Sequence, residues 1–302
     1  MTSNWKAQYA TKKGAVDLQL YRRRATAPDK GGALPVLFLV HGSSFAALPG
    51  YDLRVPGRDD YSMLDVCAGL GFDVWTMDHE GYGRSSRTAS FSDISSGADD
   101  LTAAAAVIER ETGHKRAAYY GQSSGSLRAA LFAQRHPERV ERLVLDAFVW
   151  TGEGSRTLAK RREGLASYLA SNTRKISRDS LHAALMRDDP QGITVEAPLV
   201  PDALANAALK DGDSVPSGTF VDMCSKLPLV DPARIGCPVY ILRGEHDGIA
   251  TLEDILAFFN ALPNPDKHLS VLKHSAHIAP LGVNRHRFYH LLNAFLRLPS
   301  DG

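Results

Sequence analysis

Gly121-Gln122-Ser123-Ser124-Gly125 is a G-x-S-x-G pentapeptide, and its flanks decide how it is read. Arg116-Ala117-Ala118-Tyr119-Tyr120 precedes it, short and aromatic enough for a buried strand. After it Leu127, Ala130 and Leu131 recur at helical spacing until Pro137 stops the run. Strand, sharp turn and helix put Ser123 at the tip of a strained elbow, with its hydroxyl clear of the sheet. The glycines two residues to either side leave the strand and helix room to approach each other. Such a turn presents serine as a nucleophile.

Working outward, 302 residues allow one large domain or two ordinary ones, with 44% hydrophobic residues to build a core. A formal charge of +1, with no block of like charge, gives no reason to expect nucleic acid as a partner. Met1-Thr2-Ser3-Asn4-Trp5-Lys6 lacks the apolar run of a signal peptide. No segment reaches the ~20 apolar residues that cross a bilayer, so no membrane partner is expected. Cys67, Cys224 and Cys237 are odd in number and far apart, which argues against a disulfide framework. These features point to a cytoplasmic protein and leave the oligomeric state open, a homo-oligomer included.

Along the chain, residues 7–10 and 16–21 read as a hairpin, and the strands then become continuous apolar runs. These are Val36-Leu37-Phe38-Leu39-Val40, Val74-Trp75-Thr76-Met77, Leu143-Val144-Leu145, Val239-Tyr240-Ile241-Leu242 and the weaker Leu269-Ser270-Val271-Leu272. Runs without alternation predict strands buried on both faces, as in a parallel sheet covered by helices. Helical patterns fall between them at residues 62–70, 99–111, 252–262 and 285–298. The alternation predicts an α/β fold. Residues 151–229 break the rhythm: no strand-like run, but helical ones at 157–169, 180–186, 203–209 and 220–227. Pro190, Pro198, Pro201, Pro216 and Pro228 punctuate them. This stretch is too long for a loop. The expected organisation is a core of residues 1–150 and 230–302 with a helical cap formed by 151–229.

Four stations occur in order. Val40-His41-Gly42-Ser43 ends the first central strand, and Asp78-His79-Glu80-Gly81-Tyr82-Gly83-Arg84-Ser85 follows the next. The elbow at Ser123 is third. Gly244-Glu245-His246-Asp247, with Ser275-Ala276-His277 beyond it, is the last. In this order the chain resembles the α/β-hydrolase superfamily, capped serine-triad members in particular, over nearly its whole length. The resemblance implies a mostly parallel central sheet with helices on both faces. It also implies a triad of Ser123, Asp247 and His277, and an oxyanion hole from the backbone N–H groups of Ser124 and Ser43, with Ser44 the alternative to Ser43. Ser44 and Trp150 are candidates to touch substrate.

The chemistry of these residue types agrees. A serine hydroxyl needs a base to take its proton, histidine titrates near the working pH, and a carboxylate fixes the imidazole tautomer. Each position has a rival. His274 shares the loop of His277, and Asp146 ends the strand before Asp247. Asp78 is read as organising its own glycine-rich turn, and Glu245 and His246 as supporting or solvent-facing. No metal-ligand spacing or dinucleotide fingerprint occurs, so no metal or cofactor is expected.

The reaction this implies is hydrolysis of a small-molecule carboxylic ester through an acyl-serine. Carbon–carbon bond hydrolysis, lactonase and thioesterase chemistry use the same triad, and Ser126 after Gly125 departs from the glycine pair usual in the carbon–carbon cleavers. A small-molecule receptor on the same fold is the reading from a different class. Arg156, Lys160, Arg161, Arg162, Arg174 and Lys175 are solvated helix faces or, if they point inward, a match for an ester with a free carboxylate, such as the monoester of a dicarboxylic acid.

Overall fold

The computed structural model describes residues 5–25, 34–189 and 191–299. Eight strands form one sheet: β1 (Trp5–Lys13), β2 (Val16–Arg24), β3 (Val36–Val40), β4 (Asp73–Asp78), β5 (Ala117–Gln122), β6 (Val140–Asp146), β9 (Val239–Gly244) and β10 (Lys267–Leu272). Their order across the sheet is β1-β2-β4-β3-β5-β6-β9-β10. The pairs from β4 to β10 are parallel, and the β1–β2 hairpin joins β4 antiparallel. This is the α/β-hydrolase fold.

The apolar runs are explained by burial on both faces. Alternate side chains of one strand enter different cores: Phe38 joins Trp75, Tyr119, Leu143 and Ile241, whereas Leu37 and Leu39 join Val74, Tyr120, Val144 and Leu242. Helices α3 (Ile94–Thr112), α4 (Ser124–Arg135) and α10 (Leu252–Ala261) cover the first face. Helices α2 (Met63–Gly69) and α11 (Arg285–Leu296) cover the second. No helix among the described residues is long and apolar enough to cross a membrane.

Between β6 and β9 lie α5 (Arg156–Arg162), α6 (Leu165–Ala170), α7 (Arg178–Met186), α8 (Leu199–Ala208) and α9 (Gly218–Ser225). The helical run expected over 157–169 is two helices, broken at Glu163 and Gly164. Helix α8 begins before the expected 203, because Pro201 falls in its first turn, where no intrahelical N–H is needed. The segment also holds a short antiparallel pair, β7 (Thr173–Lys175) with β8 (Ser214–Pro216), contrary to the expectation of no strand. Pro190 lies outside the described residues. Leu181, Leu185, Val200 and Leu204 of α7 and α8 share a third apolar cluster with Phe45, Tyr61, Tyr82 and Leu281 of the core loops. That packing sets the segment over loops at the C-terminal ends of the central strands. The loop after β3 contains a short helix, α1 (Ala47–Tyr51), and Tyr51 Oη donates back to the Val40 carbonyl at 2.8 Å.

Candidate active site

Ser123 lies between β5 and α4 with φ 57° and ψ −123°, a left-handed conformation that a non-glycine residue adopts only under strain of about 1–3 kcal/mol. Surrounding bonds hold it there. The Ser123 amide donates to the Asp146 carbonyl at 2.9 Å, and the Ser126 hydroxyl bridges the Gly121 and Asp146 carbonyls at 2.7 and 2.8 Å. The flanking glycines are steric necessities. A Cβ on Gly125 would stand 2.1 Å from the Val40 carbonyl oxygen, and one on Gly121 would stand 2.5 Å from that of Gly125. Both obstacles are backbone, which cannot rotate aside. Gly125→Ala is therefore expected to destabilise the fold by about 3 kcal/mol or more, seen as a melting temperature at least about 5 °C lower. An unchanged melting curve would refute this account of the elbow.

Around that serine the sheet assembles three groups from distant positions. His277 Nε2 is 2.9 Å from Ser123 Oγ, and its Nδ1 is 3.0 Å from each carboxylate oxygen of Asp247. An ionised carboxylate only accepts, so Nδ1 carries the proton and Nε2 is free to accept from the serine. Asp247 is buried, which opposes its charge, yet the imidazole and the amides of Ile249 and Ala250, at 2.9 and 3.1 Å, hold its carboxyl below the usual range. The Gln122 side-chain amide donates to the His277 carbonyl at 3.0 Å and anchors its loop to the elbow.

The rivals stand elsewhere. His274 uses its backbone amide, not its ring, to reach Glu245 at 2.8 Å. Asp146 is fully buried beneath the elbow and accepts from Tyr120 Oη at 2.7 Å. Burial, opposed by that hydroxyl and reinforced by the Asp247 charge, pushes its carboxyl up to about 8, so it is protonated at neutral pH. Asp78 accepts from Tyr21 Oη and from the amides of Ala47 and Arg84 at 2.7, 3.0 and 3.0 Å, tying its own turn to the loop after β3. His41 is buried; its Nδ1 donates to the Gly42 carbonyl at 2.7 Å and its Nε2 accepts from the His79 amide at 3.1 Å. It is a neutral strut under the loop.

Ser43 and Ser44 line the cavity at Ser123, and the Ser43 and Ser124 hydroxyls lie 2.6 Å apart. The Ser43 carbonyl accepts from Tyr82 Oη at 3.1 Å and from Arg174 Nη2 at 2.7 Å, which fixes the orientation of that peptide. As the first residue of α4, Ser124 has an amide without an intrahelical partner. Ser43 and Ser124, the two residues named from the sequence, are thus held against each other through their hydroxyls beside Ser123.

Residues 63–279 match the family described as serine aminopeptidase, S33, a group of α/β hydrolases. The chain belongs to this family. No curated protein matches the chain. Among solved structures it is similar to a serine hydrolase from the polyaromatic-hydrocarbon-degrading bacterium Cycloclasticus zankles, at 18% identity and a TM-score of 0.69, covering 97% of this chain and 98% of that one. It is similar to 2-hydroxy-6-oxo-6-phenylhexa-2,4-dienoate hydrolase from Rhodococcus sp. strain RHA1, at 17% identity and 0.69, covering 98% and 100%. A thermophilic esterase from Thermogutta terrifontis follows at 18% identity and 0.67, covering 97% and 98%. At these identities the likeness is one of fold.

The hydrolase closes tightly over Ser123. Arg161, Ala184, Arg187 and Phe220 join Ser43, Ser123 and His277 around a cavity of about 30 Å³, close to the volume of one water. Phe220 carries two cations, Arg174 at 3.8 Å and Arg161 at 4.3 Å from its ring centroid. Burial, with Arg187 and Arg174 adding like charge, pushes the Arg161 guanidinium down to about 10, where it is still charged at neutral pH. Among the described residues Arg161 has no acidic partner. Arg187, Ala184 and Phe220 were not singled out in the sequence, where no periodicity distinguishes them from other helix residues. Trp150, a candidate to touch substrate, is not among the wall residues of this cavity. Its amide donates to Asp254 at 2.9 Å and its indole to the Val230 carbonyl at 3.0 Å. Both donors are committed to the junction where the helical segment leaves and rejoins the core, and the ring packs near Phe258. A larger cavity of about 710 Å³ between α1 and α8 shares no wall residue with the one at Ser123.

Proposed function

We propose that this hydrolase cleaves a carboxylic ester of a small molecule through an acyl-serine intermediate, and that residues 151–229 act as a cap over the reacting atoms. The observation that carries this reading is the unbroken hydrogen-bonded line from Asp247 through His277 to Ser123 Oγ. Ser123 Oγ attacks the carbonyl carbon as its proton passes to His277 Nε2, and Asp247 stabilises the imidazolium. The Ser124 and Ser43 amides meet the oxyanion. Collapse expels the alcohol, which takes the proton from His277. Water then attacks the acyl-serine with His277 again the base, and the acid leaves. These steps use no cofactor.

Arg161 supports an ester bearing a free carboxylate. A guanidinium held at the cavity wall without an acidic partner favours an arriving anion and disfavours a cation. The same charge speaks against the free amine that an aminopeptidase would receive, since the cavity wall has no acidic side chain among its described residues. The test is a matched monoester and diester of one short dicarboxylic acid. The wild-type enzyme is expected to prefer the monoester in kcat/KM, and Arg161→Gln is expected to lower that preference about ten- to hundred-fold, as loss of a charged hydrogen bond. Equal values for the two esters, or a preference for the diester, would remove the carboxylate from the proposal.

A further inference from the structure

Arg161 and Arg187 line two cavities at once. Inward they face the space of about 30 Å³ at Ser123, and outward they form part of an open cavity of about 730 Å³. The outer cavity is walled by Arg156, Thr157, Lys160, Glu163, Gly164 and Tyr168 besides the two shared arginines. Four of its eight wall residues are basic and one, Glu163, is acidic.

The placement of these charges does little for the fold. Arg156 is the first residue of α5, where the positive end of the helix dipole disfavours a cation. Lys160 stands one turn further on, so the pair is a like-charge i, i+4 contact. Both side chains are exposed, and neither has an acidic partner among the described residues. Arg187 is paired with Asp188 at 2.6 Å. Local electrostatics would be improved at this wall by an anion from outside.

Resting on the ester-hydrolase reading, we propose that the outer cavity is the binding site for a second carboxylate of the substrate. The ester is then a dicarboxylate whose reacting end is small. Its ester carbonyl sits at Ser123, its first carboxylate meets Arg161 and Arg187 at the boundary, and its second meets Arg156 and Lys160 outside. The volumes suit this order. The inner space is small, so the reacting end must be compact, whereas the outer one, at about 730 Å³, has room for the rest of a small molecule. Arg156 and Lys160 are specificity-determining residues in this arrangement, and neither is a wall residue of the cavity at Ser123.

The experiment uses three acetyl esters of one carbon skeleton: 2-pentyl acetate, 2-acetoxypentanoate and 2-acetoxyglutarate, with no, one and two carboxylates. In wild-type enzyme at low salt, kcat/KM for 2-acetoxyglutarate is expected to exceed that for 2-acetoxypentanoate at least tenfold. In the Arg156→Gln/Lys160→Gln double variant that ratio is expected to fall to near one, through KM and not kcat. Because both side chains are exposed, the substitutions do not threaten the core. A wild-type ratio near one, or a ratio that the double variant leaves unchanged, overturns the proposal. If none of the three esters is hydrolysed, the ester-hydrolase reading fails instead. The second-carboxylate site is then judged by calorimetric binding of glutarate against pentanoate to the same two proteins, with the same tenfold ratio and its loss expected. Equal binding of the two acids overturns it.

Discussion

Ser123→Ala and His277→Ala are each expected to lower kcat on the order of 10⁶-fold, because a nucleophile and its base act as one unit. The geometry motivates this: Ser123 Oγ and His277 Nε2 are 2.9 Å apart, and no other histidine reaches the serine among the described hydrogen bonds. Residual turnover should persist above the uncatalysed rate, since the Ser124 and Ser43 amides would still stabilise the oxyanion. His274→Asn is the control. Asparagine tolerates the left-handed backbone at this position (φ 53°), and the His274 ring makes no bond toward Ser123, so activity should be retained. The measurement is steady-state hydrolysis of a chromogenic short-chain ester by variants whose far-UV spectra match the wild type. A folded Ser123→Ala protein with near-normal turnover would remove the serine from the reaction. A dead His274→Asn beside an active His277→Ala would exchange the two histidines.

Asp247→Asn is expected to cost roughly 10⁴ in kcat, because an amide at this position lets Nδ1 accept and turns the protonated Nε2 toward Ser123. Asp146→Asn should cost far less. Asp146 serves the elbow through its backbone carbonyl, which the substitution keeps, and its side chain meets Tyr120 and not the imidazole. The reverse ranking would move the acid to β6. The buried carboxyl also makes a pH signature. Its pKa in the folded chain, about 8, is above the ordinary carboxyl value, so the folded state binds the extra proton between them. The stability this proton contributes is complete below about pH 4 and is lost as pH rises toward 8. Asp146→Asn removes the proton from the balance, and thermal melting across pH 5 to 9 should become flatter than in the wild type.

Much of this fold was legible because each central strand is buried on both faces. Continuous runs such as Val36-Leu37-Phe38-Leu39-Val40 announce that environment directly, and β3 has those bounds in the structure. Helices with one apolar face, such as α11, declare themselves through Phe288, Leu292 and Phe295. The β7–β8 pair was not legible. Its strands are three residues long, and Thr173 and Lys175 of β7 are exposed, so no hydrophobic pattern marks them. The break between α5 and α6 was hidden for a related reason: a single glycine in a helical pattern does not say whether the helix bends, ends or continues.

The sequence by itself determined the elbow, since strand, turn and helix follow one another within a few residues and the obstacle at Gly121 is the nearby Gly125 backbone; the reason for Gly125, the Val40 carbonyl, is tertiary. The sequence also determined the set of candidates at the strand ends, because a parallel sheet delivers those ends to one edge. The resemblance already named His277 and Asp247 over their rivals, but the contacts that distinguish them are tertiary. His274 and His277 differ by three residues in one loop, and Asp146 and Asp247 end neighbouring strands. What separates them is a distance of one hydrogen bond to a ring that the sheet register positions. The same holds for Arg161, Arg174 and Arg187. Their residue type was plain in the chain, but the direction of a long flexible side chain is set by the packing of α5, β7 and α7 over the core, and that packing decided which guanidiniums face Ser123.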